Sequence, residues 1–277
     1  MSWSTAETEI YNKALANVET TNKQLARVYL KVQKEISDKL KQFYNSADPS
    51  WSKEYQAKRL ADLFKEINKR LTLLTKIETQ KIESAFLDQY KTTFETYSYN
   101  MGEYLGVLPL SISPESLIMA SLNEKIGQYS FLKSMTEKQA LLREQLQDAV
   151  GISISKGEGP VKLLARLKET FDTGISRYMS TARTEMLKAY SISQEESIKQ
   201  AEEQGIKFRS KWLGRNDGRE RESHIALNGT YAKLAKDGNY YFYAGGCKGV
   251  SPRLFVGLKS ASQNVNCRCR RLNIPVV

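Results

Sequence analysis

Between Leu25 and Phe43 the apolar residues fall at Leu25, Val28, Val32, Ile36, Leu40 and Phe43, in steps of three and four with charged residues between them. That spacing gathers them on one stripe and predicts an amphipathic helix. The run from Asn45 to Ser50 predicts its end, because Pro49 disfavours helical dihedrals in the residue before it and the polar cluster supplies a turn. A second stripe, Leu60, Leu63, Ile67, Leu71, Leu74 and Ile77, resumes after a five-residue step at Ile82, Phe86 and Tyr90. It predicts a helix of about forty residues with a bend at the step, well beyond the usual length of about 11. Further helices are predicted over 115–121, 137–150 and 161–204, with Gly102, Gly106, Pro109 and Pro114 marking a connector and a loop running from Gly151 to Pro160.

At Ile206 the period changes to two. Ile206, Phe208, Ser210 and Trp212 alternate with Lys207, Arg209 and Lys211, which predicts a strand with one wholly basic face. A turn follows over 214–218. Asp217 with Glu220 three residues on has the form of a capping box, and Asn228-Gly229 is a helix stop, so a three-turn helix over 218–228 is expected to carry Arg221 and His224 on one face. Strands are expected at 240–243 and 265–272, with a turn at Asp237-Gly238. The fold class is therefore a mainly α N-terminal stem of long helices, in a hairpin or arm, followed by a small α+β C-terminal domain. Its divisions are 1–122, the stem; 123–205, a helical connector; and 206–277, a basic α+β module.

Charge sharpens this division. From Lys207 onward there are 14 Lys and Arg against 4 Asp and Glu, so this segment carries +10 of the chain's +11. A membrane span needs about 18 consecutive apolar residues, and the chain has no such run; with no signal-like segment at its start, it is expected to stay in the cytoplasm where it is made. Three cysteines without disulfide-scaffold spacing fit a reducing compartment.

The C-terminal segment also carries an ordered set of motifs: Trp212; Asp217, Arg219, Arg221, Ser223 and His224 as Asp-x-Arg-x-Arg-x-Ser-His; Leu227 and Gly229; a Gly-rich loop from Gly245 to Pro252; and Asn266, Cys267, Arg268 and Cys269. Ala182 to Glu185, with Arg183, and Gly157-Glu158 precede them. Over roughly 150–272 this order resembles the Mu F-like family of tailed-phage minor head proteins, also called the head-morphogenesis family. Cys247 is outside the family pattern, and Asn228 stands where Asp is expected. The resemblance implies a virion component at the portal vertex in the head interior, made in the host cytoplasm, acting in head morphogenesis and in DNA packaging or ejection. It also implies the portal and the major capsid or scaffold protein as partners, and no membrane.

A basic face meets phosphates without reading bases, so non-specific contact with double-stranded DNA is expected, with Lys207, Arg209, Lys211, Arg219, Arg221, Arg268, Arg270 and Arg271 as candidate contacts. The alternative is a structural adaptor whose basic module docks an acidic portal or scaffold protein. Tyr240, Tyr241 and Tyr243 are stacking residues for single strands on one view and sheet packing on the other. Arg183 and Glu185 would either bond the C-terminal module to the long helix or form an ordinary charged helix face.

His224, Cys247, Cys267 and Cys269 offer the nitrogen and sulfur donors zinc prefers. Cys-x-Cys is not the common knuckle spacing, however, and reduced cysteine is often a small buried hydrophobe. The expectation is therefore no cofactor, with Cys267 and Cys269 in the core beside Val265 and Trp212, His224 hydrogen-bonded to a neighbouring loop, and structural zinc as the alternative. No enzyme is expected. A lone His without a nucleophile partner makes no triad, and Asp217 alone supplies too few carboxylates for a two-metal nuclease. Glu220-Arg221-Glu222 matches the Glu-x-Glu of ADP-ribosyltransferases only in letters, since helix geometry would point the two side chains roughly 200° apart.

Overall fold

The structure is a computed structural model describing residues 2–46, 53–126, 130–156 and 158–276. Five helices dominate it: α1 (Trp3–Asn45), α2 (Lys53–Leu105), α3 (Glu115–Leu122), α4 (Phe131–Ser155) and α5 (Pro160–Glu203). The C-terminal elements are β1 (Lys207–Leu213), α6 (Glu222–Ile225), β2 (Lys233–Leu234), β3 (Tyr240–Ala244), β4 (Cys247–Gly249), β5 (Phe255–Val256), α7 (Ser260–Asn264) and β6 (Arg270–Val276). Long N-terminal helices followed by a small region of antiparallel strands match the expected fold class. Among the described residues no helix is long and apolar enough to cross a membrane.

Three helices, α1, α2 and α4, are longer than expected. α1 begins at Trp3 because its buried stripe continues upstream through Ile10, Ala14 and Val18, where alanine gives little hydrophobic signal. α2 is one uninterrupted helix, and the five-residue step between Ile77 and Ile82 does not break it. The missing position of the stripe is Glu78, fully buried between Leu74 and Ile82. Part of the predicted turn at Asn45 to Ser50 lies outside the described residues. α4 runs on to Ser155 and shortens the loop expected at 151–160.

The chain forms two compact units, each discontinuous in sequence: 1–21 with 82–131 and 180–277, and 22–81 with 132–179. The boundaries fall inside or at the edges of helices, since α1, α2 and α5 each contribute to both.

The second unit is all helix, with a core that includes Leu25, Val32, Ile67, Leu71, Leu146 and Leu167. Tyr29 meets Phe171 at 5.6 Å and Tyr178 at 5.8 Å between ring centroids. Gly174 makes room for it: a Cβ there would lie 2.0 Å from the Tyr29 hydroxyl. Burial pushes the Glu78 carboxyl up to about 9, so it is neutral at physiological pH, and neither of its oxygens has a hydrogen-bond partner.

In the first unit Trp3, Ile10, Tyr11, Tyr97, Met101, Leu187 and Tyr190 form one apolar cluster. At its centre Glu7 accepts from Tyr97 Oη (2.9 Å), Gln194 Nε2 (3.0 Å), Asn273 N (2.8 Å) and Asn273 Nδ2 (2.6 Å). Burial raises its proton affinity, while the Asn273 and Tyr97 hydrogen bonds oppose that. Trp3 Nε1 donates to Asn273 O at 2.5 Å and Tyr11 Oη to Arg268 O at 2.6 Å, which fastens the start of α1 to the C-terminal module.

That module holds two antiparallel sheets, β1 with β6, and β2-β3-β4-β5 in sequential order. Residues 229–232 flank the other edge of β1 through Gly229 N to Trp212 O (2.9 Å) and Ala232 N to Ser210 O (2.9 Å). Trp212 is fully buried against His224, Phe242 and Phe255, with centroids 5.1, 5.2 and 5.8 Å away. Gly249 is required where β4 meets β5, since a Cβ would come within 2.8 Å of the Leu254 carbonyl and of Phe255 Cα.

Candidate nucleic-acid interface

The register of β1 on β6 decides which cations share a face. Lys211 pairs with Leu272 and Leu213 with Arg270, and opposite residues of an antiparallel pair project to the same side. Lys207, Arg209, Lys211 and Arg270 therefore lie on one face, with Lys207 and Arg209 exposed. The Arg209 guanidinium lies 4.2 Å from the Tyr231 ring centroid, a cation–π contact that positions it without neutralising it.

Arg271 is a correction. It pairs with Trp212 on the opposite face, is buried, donates to Val250 O at 3.0 Å and forms an ion pair with Glu195. It is structural and out of reach of a phosphate. Arg268 also leaves the expected face, because residues 265–269 do not form a strand. α7 precedes them, Asn266 adopts a positive φ of 55°, and β6 starts only at Arg270. Arg268 instead donates to Asp217 Oδ1 at 2.9 Å.

The three-turn helix expected over 218–228 is a second correction. Gly218 has φ 72°, Asp217 Oδ1 accepts from Arg219 N at 3.2 Å, and Glu220 Oε1 folds back to accept from Asn216 N at 3.0 Å. These bonds build a turn, so only Glu222–Ile225 is helical, and Arg221 precedes it, donating to Val265 O at 2.5 Å. Asn228, where Asp was expected, accepts from Gly214 N at 2.9 Å and donates to Asn216 Oδ1 at 3.2 Å, which braces the same turn.

That turn brings arginines together. A cavity of about 310 Å³ is lined by Leu15, Val18, Glu19, Arg183, Arg215, Asp217, Arg219 and Arg268. Arg183 donates to Asn266 Oδ1 at 3.2 Å, and Thr184 Oγ1 accepts from Asn266 N at 2.8 Å, so the long helix does bond the C-terminal module. Burial and then the neighbouring Arg268, Arg215 and Arg219 depress the Arg183 pKa, while Glu19 opposes. Glu185 is buried, and its charge acts on the buried Lys188, whose Nζ donates to Ser121 O at 2.6 Å.

Deeper in the module, Ser223 Oγ donates to Gln263 Oε1 at 3.0 Å and His224 Nε2 lies 3.0 Å from the same oxygen. A carboxamide oxygen only accepts, so Nε2 carries the proton and Nδ1 is left with its lone pair. Nδ1 lies 3.6 Å from the sulfurs of both Cys267 and Cys269. A hydrogen bond from Cys269 lowers the Cys267 pKa against burial, with Arg253 adding to it, and the same bond raises Cys269. Trp212 packs in the same core, as expected, but Val265 is exposed and does not. Cys247 is buried in that core too, and lies outside the trio.

Two residues of this region are missed by sequence reasoning. Arg253 is fully buried at φ 71°, donating to Cys267 O (3.1 Å), Cys269 O (2.7 Å) and Ser191 Oγ (2.9 Å), so it pins the Cys loop to α5. Arg215 carries no motif signal and joins the cavity only through the turn. Among the described tyrosines of β3, Tyr240 and Tyr243 are exposed while Phe242 supplies the packing.

Residues 144–272 match the family described as phage Mu protein F like protein. The chain therefore carries a Mu F-like region, which supports a phage head morphogenesis protein. Among curated proteins, NAD(+)--arginine ADP-ribosyltransferase EFV of Enterococcus faecalis (strain ATCC 700802 / V583) is similar, with 23% identity over 261 residues, covering 94% of this chain and 52% of that protein. The chain thus spans about half the length of this relative. No solved structure matches.

Proposed function

We propose that this protein is a minor head protein at the portal vertex of a tailed phage, and that it contacts packaged DNA through phosphates without reading bases. The Mu F-like region supports the head role. The DNA contact rests on the gathering of Arg183, Arg215, Arg219 and Arg268 around one cavity in which, among the described residues, the carboxylates are Glu19 and Asp217. Like charges held together raise one another's free energy, and a polyanion relieves that. The face of Lys207, Arg209, Lys211 and Arg270 extends the positive surface.

Fluorescence anisotropy with random-sequence duplex DNA at increasing salt tests this contact. A steep, sequence-independent loss of affinity supports it, and no binding at low salt favours docking to an acidic portal or scaffold protein. A catalytic role is not proposed. The Mu F-like family is a structural phage head family, which suggests a non-enzyme, and Glu220 is engaged in bracing its turn. Incubation with nicotinamide dinucleotide and an arginine acceptor would leave both unchanged.

A further inference from the structure

We propose that His224, Cys267 and Cys269 form a zinc site. The donor atoms of this trio all lie within 4.8 Å of one another, and all three residues are buried. Zinc bonds of about 2.3 Å to sulfur and about 2.0–2.1 Å to nitrogen, at a tetrahedral angle, put nitrogen and sulfur about 3.6 Å apart. His224 Nδ1 lies 3.6 Å from both sulfurs.

The orientation of the imidazole is the second, independent observation. Gln263 Oε1 accepts from Nε2, which leaves the Nδ1 lone pair aimed at the two sulfurs. An outer hydrogen bond that fixes a ligand's tautomer in this way is the usual arrangement around a metal-bound histidine. Charge agrees as well: two thiolates cancel the two positive charges of the ion, so a buried site can be neutral. Arg253, which donates to the carbonyls of Cys267 and Cys269, sets the loop so that both sulfurs face the same side although this segment is not a strand. Binding releases the two thiol protons, so affinity falls as pH decreases.

Metal analysis of the full chain, purified without chelator or metal-affinity resin, is expected to give about one zinc per chain. Cobalt substitution should show intense visible d–d bands and a near-ultraviolet sulfur-to-metal band. Cys267→Ser and Cys269→Ser should each lose the metal, whereas Cys247→Ser should keep it. Because the first two variants test the site only if they fold, titration of the wild type with a mercurial in the presence of a zinc-sensitive dye provides the second measurement, and it should release the zinc as thiols are blocked. Protein that stays zinc-free after folding with zinc present overturns the proposal. So does loss of the metal in Cys247→Ser, or a Cys267–Cys269 disulfide in protein kept under reducing, anaerobic conditions.

Discussion

Asn273 donates both its backbone N–H and its side-chain amide to the carboxylate of Glu7, at 2.8 and 2.6 Å, across 266 residues of chain. Glu7→Gln would replace an acceptor oxygen by an NH₂ group facing donors. The expected loss is on the order of 2–3 kcal/mol, read as a lower midpoint in urea with an unchanged slope.

Glu78 makes stability depend on pH in a definite direction. Its pKa is raised to about 9 by burial, against the ordinary carboxyl value of 4.5, so the folded state binds the extra proton. This contribution is fully present below about 4.5 and is lost as pH rises toward 9. Glu78→Met should flatten the fall in thermal midpoint between pH 5 and 9 and raise stability at pH 8 by on the order of 2 kcal/mol, or roughly 4–8 °C. A scan of midpoint against pH for both proteins checks it.

Arg215→Ala and Arg219→Ala change exposed side chains at the cavity and should leave the fold intact. Each should weaken duplex binding alike for all sequences and lower the salt slope by about 0.9 if it removes one phosphate contact. Arg271→Ala should instead destabilise the protein by on the order of 3 kcal/mol, because it empties a buried site and removes the donor to Val250 O, and keep the salt slope of the folded fraction. Anisotropy titrations alongside thermal melts separate the two effects.

Gly174→Ala should overpack the aromatic cluster of the helical unit, because the new methyl meets the Tyr29 hydroxyl between Phe171 and Tyr178. A cost of about 1–3 kcal/mol is expected. Tyr29→Phe removes the clashing oxygen, so the double variant should recover much of that loss, as a double-mutant cycle in urea would record.

Strong periodicity made α2, α5 and β1 legible from sequence, because three- and four-residue or two-residue steps map directly onto buried faces. The first twenty residues of α1 were not, since Ala6, Ala14 and the buried Glu7 and Asn22 occupy its inner stripe and look polar or neutral. Glu78 misled for the same reason: a buried carboxyl resembles a break in the pattern. In the C-terminal module, the motif residues Trp212, His224, Cys267 and Cys269 do meet in one core. The cation face was only partly legible. Assigning Arg268 and Arg271 required the register of β6 and its start at Arg270, which positive φ at Asn266 sets and which no alternation of side chains announces. Arg253 was invisible because its role depends on tertiary contacts with Ser191 and two carbonyls.

The contacts of Trp3, Glu7 and Tyr11 with the segment from Arg268 to Asn273 have a temporal implication. The first helical turns leave the ribosome long before the strand that completes their surroundings has been translated. They must wait, with tryptophan and carboxylate unsatisfied, until residues 268 to 273 emerge, so this unit cannot close before that strand has been made.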